Sequence, residues 1–289
     1  MIMKSIGIDI GASHISCGLY NSNSQELENK IYLPNKMDKT IDIGISTRYF
    51  INLISNLIDR LIKENNINMN DVSSIGLGCP GGIDIENGIF LGSSSLNVHQ
   101  IDFRKELAKY NVKIFVENDC TCAGICESYI SNVNNFIMFT LGSGLGISYM
   151  QNYKCVDKIV WDIININKKM GSNHDKYIIG FHSLSKRYNN LKNINYPRDG
   201  IFKCIEKGDL DAQNLLKIFI NNFINGVKKI EEHYSIKDFF IGGGMSEYSQ
   251  YFIDDIKNGL PNLNINIAKY RNDSGIIGGA LLETLYDKN

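Results

Sequence analysis

A strand, a glycine turn and a second strand occur together twice in this chain, and the repeat constrains the fold more than any other feature. In the first copy, apolar runs at 5–10 and 15–20 flank the turn Gly11-Ala12-Ser13. In the second copy, the run 135–141 leads into the turn 142–146, and a returning strand follows. Short apolar runs bounded by glycine are typical of buried strands. The repeat predicts two related halves, each with a mixed sheet and helices, and therefore an α/β fold.

Helix and strand patterns alternate through the rest of the chain. Apolar residues recur at helical spacing over 44–64 and 211–234, which predicts two amphipathic helices. Further strands are predicted at 74–79, 113–117 and 238–241. We expect a ligand cleft between the two halves, because small-molecule sites are common between domains.

Three glycine clusters, at 9–14, 140–146 and 241–245, each follow a predicted strand. Glycine lets the backbone approach a ligand closely, so its N–H groups can surround a phosphate oxygen. Ser13 and Ser143 add hydroxyl donors. No Gly-Lys-Ser/Thr follows any cluster, and the second leads into a strand, so neither a Walker A motif nor a Rossmann fingerprint is present. For one cluster alone, a tight hairpin turn is the alternative interpretation. The three together favour phosphate binding.

Two polar residues, Asn118 and Asp119, follow the predicted strand at 113–117. A carboxylate at such a position can accept the proton of an attacking hydroxyl group. The alternative is a turn or a helix cap, which these residue types favour at the end of a strand.

Composition excludes several classes of partner. The 30 basic and 31 acidic residues leave a net charge of -1, so no bulk electrostatic attraction favours nucleic acid or an anionic membrane. No run of about 18 apolar residues and no signal pattern is present. The seven cysteines are an odd number, which favours a reduced cytoplasmic compartment. Three of them lie close together (Cys120, Cys122, Cys126), and we expect buried thiols there instead of a metal site.

Five segments together resemble the ROK sugar kinases of the hexokinase/actin superfamily, and they occur in that family's order. These segments are 7–13, 116–124, 140–146, 242–244 and 273–282. The resemblance implies a two-domain actin-like ATPase (ribonuclease H-like) fold, with mixed sheets flanked by helices and a cleft between the domains. It also implies a small domain of residues 1–118 plus 275–289 and a large domain of residues 119–274.

The same resemblance implies roles for the motif residues, with ATP and Mg²⁺ as cofactors. Asp9 would help to place Mg²⁺ through water. The first phosphate turn would comprise Gly11, Ala12, Ser13 and His14. The second would comprise Gly142, Ser143, Gly144 and Gly146, and the adenosine would lie against Gly242, Gly243 and Gly244. The sugar would be held by Glu117, Asn118 and Asp119, with Asp119 as the general base.

The sequence departs from the family's pattern on the sugar side. Where the family has Gly-Glu-x-Gly-His, this chain has Trp161-Asp-Ile-Ile-Asn, so Asp162 and Asn165 become the candidate contacts to sugar hydroxyls. Ser95 and Asn97 lie in another region where the family contacts sugar. The stretch 168–177 matches the family's zinc loop but contains no cysteine, so no structural zinc is expected.

These features lead to three hypotheses. The first is an Mg-ATP-dependent kinase acting on a hexose or hexose derivative, with a glucose-like sugar as the default. The second is a weakly active or inactive protein of the same fold that senses sugar or nucleotide. The third is a DNA-binding repressor, which we do not expect, because the phosphate strand begins by residue 5 and leaves no room for a preceding helix-turn-helix region. The resemblance further implies a homodimer.

Overall fold

The computed structural model describes residues 4–35, 37, 40–93, 95–157 and 180–286. The chain forms two compact units. The first unit contains Met1–Tyr129 and Asp273–Asn289, and the second unit contains Ile130–Asn272. Within the described residues, no helix combines the length and the apolar character needed to span a bilayer.

The first unit contains a five-stranded mixed sheet and a separate, small three-stranded sheet. The large sheet has the order β3-β2-β1-β4-β8, and its strands are β1 (Lys4–Ile10), β2 (His14–Asn21), β3 (Glu26–Pro34), β4 (Val72–Cys79) and β8 (Lys113–Asn118). The small sheet comprises β5 (Gly82–Asp84), β6 (Ile89–Gly92) and β7 (Ile101–Asp102). The helices are α1 (Ile43–Glu64), α2 (Phe103–Glu106), α3 (Asp119–Ser131), α8 (Ser274–Ala280) and α9 (Leu282–Tyr286).

The second unit contains the other five-stranded mixed sheet. Its order is β11-β10-β9-β12-β13, and its strands are β9 (Asn135–Leu141), β10 (Leu145–Gln151), β11 (Lys154–Asp157), β12 (Asp238–Gly242) and β13 (Asn264–Ile267). The helices are α4 (Phe181–Lys192), α5 (Gly200–Glu206), α6 (Leu210–Tyr234) and α7 (Ile253–Gly259), with a 3-10 segment at Gly244–Tyr251.

The two large sheets share one topology. In each, the first three strands form an antiparallel meander, a fourth strand pairs in parallel with the first, and a fifth pairs in parallel with the fourth. The prediction of two related halves with mixed sheets is therefore confirmed. Parallel strands of one sheet end at the same edge, so the residues that follow β1, β4 and β8 lie near each other, as do those that follow β9 and β12.

Helix α1 illustrates how the apolar pattern forms the core of the first unit. Its side chains Phe50, Ile54 and Leu57 are fully buried. Each contributes roughly 1.5–3 kcal/mol relative to an exposed side chain. The carboxylate of Asp42 caps the helix by accepting hydrogen bonds from the N–H groups of Gly44 and Ile45 at 2.8 and 3.1 Å, and the predicted helix at 44–64 is confirmed.

Glycines allow helix α8 to pack closely against strand β1 and helix α3 within the first unit. A Cβ atom added at Gly278 would lie 1.7 Å from the carbonyl oxygen of Cys122, and one added at Gly7 would lie 1.8 Å from that of Ile276. No larger residue fits at these positions without separating the backbones. The family resemblance implies that residues 119–129 belong to the large domain. In the structure they belong to the first unit, together with this helix.

Candidate functional site

The first glycine turn connects β1 to β2 and presents backbone donors. The N–H group of Gly11 donates to the carbonyl oxygen of His14 at 2.8 Å and closes the turn. The N–H groups of Ala12 and Ser13 donate to no backbone carbonyl of the described residues. Adjacent donors of this kind form a concave site for an anion. The residues predicted for the first phosphate turn are therefore brought together in one half-buried bend.

Asn35, which follows β3, stabilises this turn through two hydrogen bonds. It was not identified from the sequence as a site residue. Its side-chain Nδ2 donates to the carbonyl oxygen of Gly11 at 2.9 Å, and its backbone N–H donates to that of Ser13, also at 2.9 Å. Asn35 is only 6 % exposed. The ring of His14 stacks on Tyr32 with its centroid 5.2 Å away. These contacts direct two carbonyl groups of the turn towards the protein and not towards a ligand.

Asp9 is the last polar residue of β1 before the turn. A Cβ atom added at Gly275 would lie 2.7 Å from the Asp9 carboxyl carbon, so glycine at that position leaves space for the carboxylate. Burial, and then the negative charges of Asp119 and Asp273, raise the pKa of Asp9 to about 7. Lys30 pairs with Asp273 at 2.6 Å. The first unit therefore brings the carboxyl groups of Asp9, Asp119 and Asp273 close enough to interact, and Lys30 partly balances their charge.

Asp119 is the first residue of α3 and directly follows β8. Burial raises the pKa of its carboxyl group to about 6, although hydrogen bonds from the Cys120 N–H and the Asn118 side chain oppose that increase. The side-chain oxygen of Asn118 accepts hydrogen bonds from the N–H groups of Cys120 and Thr121 at 3.0 and 3.2 Å. Asn118 therefore caps the helix. Its expected contact with a sugar stays a prediction.

Glu117 is buried inside the first unit, with 2 % of its surface exposed. One carboxylate oxygen accepts a hydrogen bond from the Asn118 N–H at 2.7 Å, and the other accepts one from the Tyr286 hydroxyl at 2.8 Å. The residue thus ties the end of β8 to helix α9. Its expected contact with a sugar stays a prediction.

The second glycine turn connects β9 to β10 in the second unit. The Gly142 N–H donates to the Gly144 carbonyl at 3.0 Å. Among the described residues, no heavy atom lies within 4 Å of a Cβ atom added at Gly142 or at Gly144. Packing against the described part of the chain therefore does not require glycine at either position, and no described side chain fills the space beside them. Gly146 lies within β10 and pairs with Thr140.

The third cluster, 242–244, lies beside the second turn. Gly243 has φ of +77°, and a Cβ atom there would lie 2.8 Å from the backbone nitrogen of Leu141 at the end of β9. Both the conformation and the contact require glycine. Gly244 begins the 3-10 segment, with a ring carbon of Phe181 4.0 Å from the position of an added Cβ. The glycine clusters predicted to bind phosphate and adenosine therefore adjoin within this unit.

The other residues predicted to contact the sugar are Ser95, Asn97, Asp162 and Asn165. Ser95 bonds to Ser93 at 2.8 Å, and the side chain of Asn97 donates to the Ile41 carbonyl at 3.0 Å. Asp162, Asn165 and the stretch matching the zinc loop lie outside the described residues. Within the described ranges, no three His, Cys, Asp or Glu side chains converge to hold a metal ion. The three clustered cysteines are buried, as expected.

Comparison with known proteins identifies related sequences. The family model described as "ROK family" matches residues 5–157. An N-acetyl-D-glucosamine kinase from Haemophilus influenzae is 22 % identical over 311 residues, covering 95 % of this chain and 97 % of the relative. A xylose repressor from Caldicellulosiruptor bescii is 24 % identical over 145 residues, covering 49 % of this chain and 35 % of the relative.

A solved structure extends the likeness to the whole fold. The ROK family glucokinase from Streptomyces griseus, determined with glucose and AMPPNP, superimposes with a TM-score of 0.80 at 17 % identity. The match covers 96 % of this chain and 98 % of that one. The predicted two-domain actin-like ATPase fold is confirmed by this likeness together with the two mixed sheets.

Proposed function

Because the chain belongs to the ROK family, we propose that it is an ATP-dependent kinase that phosphorylates a hydroxyl group of a hexose or hexose derivative. The observation that carries the proposal is the carboxyl group of Asp119, whose pKa is raised to about 6 by burial. A base with a pKa close to the working pH accepts a hydroxyl proton more effectively than an ordinary aspartate. The relatives named as glucokinase and N-acetyl-D-glucosamine kinase support a sugar as the acceptor.

The glycine turns are suited to the nucleotide. The N–H groups of Ala12 and Ser13 are available for phosphate oxygens in the first unit. In the second unit, no described residue lies within 4 Å of a Cβ added at Gly142 or Gly144, which leaves room for phosphates on that side of the turn. The adjoining cluster 242–244 would contact the adenosine. Phosphoryl transfer depends mainly on positioning and charge neutralisation, so backbone donors of this kind can supply much of the binding.

In the proposed reaction, Asp119 accepts the proton of the sugar hydroxyl group. The hydroxyl oxygen forms a bond to the γ-phosphorus of ATP, and the bond from that phosphorus to the β–γ bridging oxygen breaks, which leaves ADP and a phosphorylated sugar. The Asn118 cap and the Glu117 contact to the Asn118 N–H hold the start of α3 and so orient Asp119. A positioned carboxylate typically contributes about 10²- to 10⁴-fold to such a step.

A divalent cation fits the electrostatics of the first unit. Burial, and then the charges of Asp119 and Asp273, raise the pKa of Asp9. A cation near Asp9 would therefore reduce the repulsion among these three carboxylates. We propose that Asp9 holds Mg²⁺ through water. When bound, Mg²⁺ neutralises charge on the phosphate oxygens.

A second candidate function is binding of sugar or nucleotide without turnover. The partial match to a xylose repressor favours it, because that protein is named as a regulator. The replacement of the family's Glu and His by Asp162 and Asn165 favours it as well.

The experiment that separates the two functions is ADP release from Mg-ATP with a panel of hexoses, hexosamines and N-acetylhexosamines. Asp119→Asn is assayed in parallel, with Asp255→Asn, an exposed aspartate of α7, as the control. We expect one sugar to stimulate ADP release, and Asp119→Asn to lower the rate by about 10²-fold or more, while the control keeps it. ATP binding without turnover on any sugar would favour the sensor. An absence of ATP binding would contradict the kinase, and an absence of both ATP and sugar binding would contradict the sensor as well.

A further inference from the structure

Arg198 lies in the loop between α4 and α5, next to the second glycine turn. Its Nη2 donates to the hydroxyl oxygen of Ser143 at 3.4 Å. Its guanidinium group also lies over the ring of Phe181, 5.7 Å from the centroid. The edge of that ring approaches the position of a Cβ on Gly244 to 4.0 Å. Arg198 therefore stands beside both glycine clusters of the second unit.

The surrounding structure holds Arg198 in this place. The hydroxyl group of Ser185, on α4, donates to the Arg198 carbonyl at 2.8 Å. Phe181 belongs to an aromatic group in which Phe202 stacks on Tyr248 with centroids 4.6 Å apart. A guanidinium group over an aromatic face gains from the ring's negative potential. The side chain is thus oriented by packing before any ligand binds.

Arg198 brings a positive charge to the second turn. Backbone N–H groups are neutral donors, whereas a nucleotide triphosphate carries several negative charges. A guanidinium group supplies both a charge and a planar set of donors that match phosphate oxygens. The nearest comparable cation along the chain, Lys203 on α5, is 72 % exposed and pairs with Asp199 at 3.5 Å, so it serves as a comparison residue.

We propose that Arg198 binds a phosphate group of the nucleotide held by the second glycine turn. This assignment rests on the proposed function, since it requires that ATP is the ligand. Arg198 recognises the phosphate and not the nucleoside, so its removal weakens ATP binding and leaves adenosine binding unchanged. A residue that merely supports Phe181 and the turn would affect both ligands equally.

The test compares Arg198→Ala, Arg198→Lys and the control Lys203→Ala with the wild-type chain. ATP binding is measured by calorimetry, and adenosine binding by ligand-observed NMR, which detects weak complexes. We expect Arg198→Ala to raise the Kd for ATP by about ten- to hundredfold, as for loss of a charge-assisted hydrogen bond. Arg198→Lys restores part of that loss, because it keeps the charge but not the planar donors. Lys203→Ala keeps wild-type affinity, and adenosine binds all four proteins alike.

The other possible outcomes distinguish an error in the assignment of Arg198 from an error in the proposed function. Unchanged ATP affinity in Arg198→Ala, with ATP binding to the wild type intact, contradicts this assignment alone. Equal weakening of ATP and adenosine also contradicts it and makes Arg198 a structural support. If the wild type binds no ATP, the proposed function is wrong and the assignment with it. Should Arg198→Ala fail to fold, Arg198→Gln replaces it, since glutamine removes the charge but keeps a polar side chain.

Discussion

Replacing Asp9 with asparagine removes a carboxylate whose pKa is raised to about 7 in the folded chain, first by burial and then by the charges of Asp119 and Asp273. Its ordinary value is 3.8, so the unfolded chain releases this proton at a lower pH than the folded chain. Between about pH 4 and pH 7, the unfolded state therefore binds fewer protons. The free energy of unfolding falls as the pH rises through that window, and the loss is complete above it.

The size of the effect follows from the two pKa values of Asp9. The difference between about 7 and 3.8 corresponds to roughly 4 kcal/mol, at about 1.4 kcal/mol for each pH unit. Part of the Asp9 side chain reaches solvent, so this is an upper limit, and we expect Asp9→Asn to raise the free energy of unfolding by about 2–4 kcal/mol at pH 8. The gain shrinks to about 1 kcal/mol or less near pH 4.5.

Urea unfolding followed by circular dichroism, without nucleotide or Mg²⁺, measures both values. Asp255→Asn, which removes an exposed aspartate, is the control, and it should change the free energy of unfolding by about 1 kcal/mol or less at either pH. If Asp9→Asn is no more stable than the wild type at pH 8, the charged carboxylate of Asp9 does not lower the free energy of unfolding, which refutes the reasoning. If Asp9 also holds Mg²⁺, Mg-ATP stabilises the wild type more than the variant.

Three further predictions concern the remaining site residues. Because the pKa of Asp119 is raised to about 6, kcat/KM falls about tenfold from its plateau by pH 5, and a pH profile that stays flat to pH 5 contradicts the assigned base. Gly144→Ala keeps the free energy of unfolding within about 0.5 kcal/mol but weakens ATP binding. Gly278→Ala lowers the free energy of unfolding by about 3 kcal/mol, the upper end of the usual range for overpacking, because of its backbone contact. Thermal unfolding measures the stabilities, and calorimetry measures ATP binding. Asn35→Ala raises the KM for ATP by about tenfold, since the first turn loses a buried hydrogen bond, and steady-state kinetics with unchanged KM would contradict this.

The strands and turns were predictable because their signals are local. The run 135–141 is apolar and ends at Gly142, and the structure has β9 at Asn135–Leu141. The helix predicted at 211–234 is found as Leu210–Tyr234. Such patterns depend on neighbouring residues only, so they identify each element without knowledge of its partners.

The function of individual glycines was not predictable, because it depends on residues distant in sequence. Gly7 and Gly144 both lie in glycine-containing motifs, yet Gly7 is fully constrained by the carbonyl of Ile276, whereas no described residue lies within 4 Å of a Cβ added at Gly144. Nothing near Gly7 in the sequence indicates that a helix at the other end of the chain will pack there. Only the three-dimensional contact separates a packing glycine from one that leaves room for a ligand.

Asn35 and Arg198 escaped prediction for a related reason. Each is a single polar residue in a loop and belongs to no motif with a recognisable spacing. Their importance comes from contacts with the two glycine turns, at Gly11 and at Ser143. The predicted sugar contacts Asp162 and Asn165 stay predictions, since they lie outside the described residues.

The most direct measurement of the central claim is phosphorus NMR of a reaction containing Mg-ATP and the sugar that stimulates ADP release. The proposed function predicts a new sugar phosphate signal that grows as the γ-phosphate signal of ATP declines, in equal amounts, and that is absent with Asp119→Asn. Formation of inorganic phosphate in place of a sugar phosphate, or an undiminished signal with Asp119→Asn, would contradict the claim that this chain transfers phosphate to a sugar with Asp119 as its base.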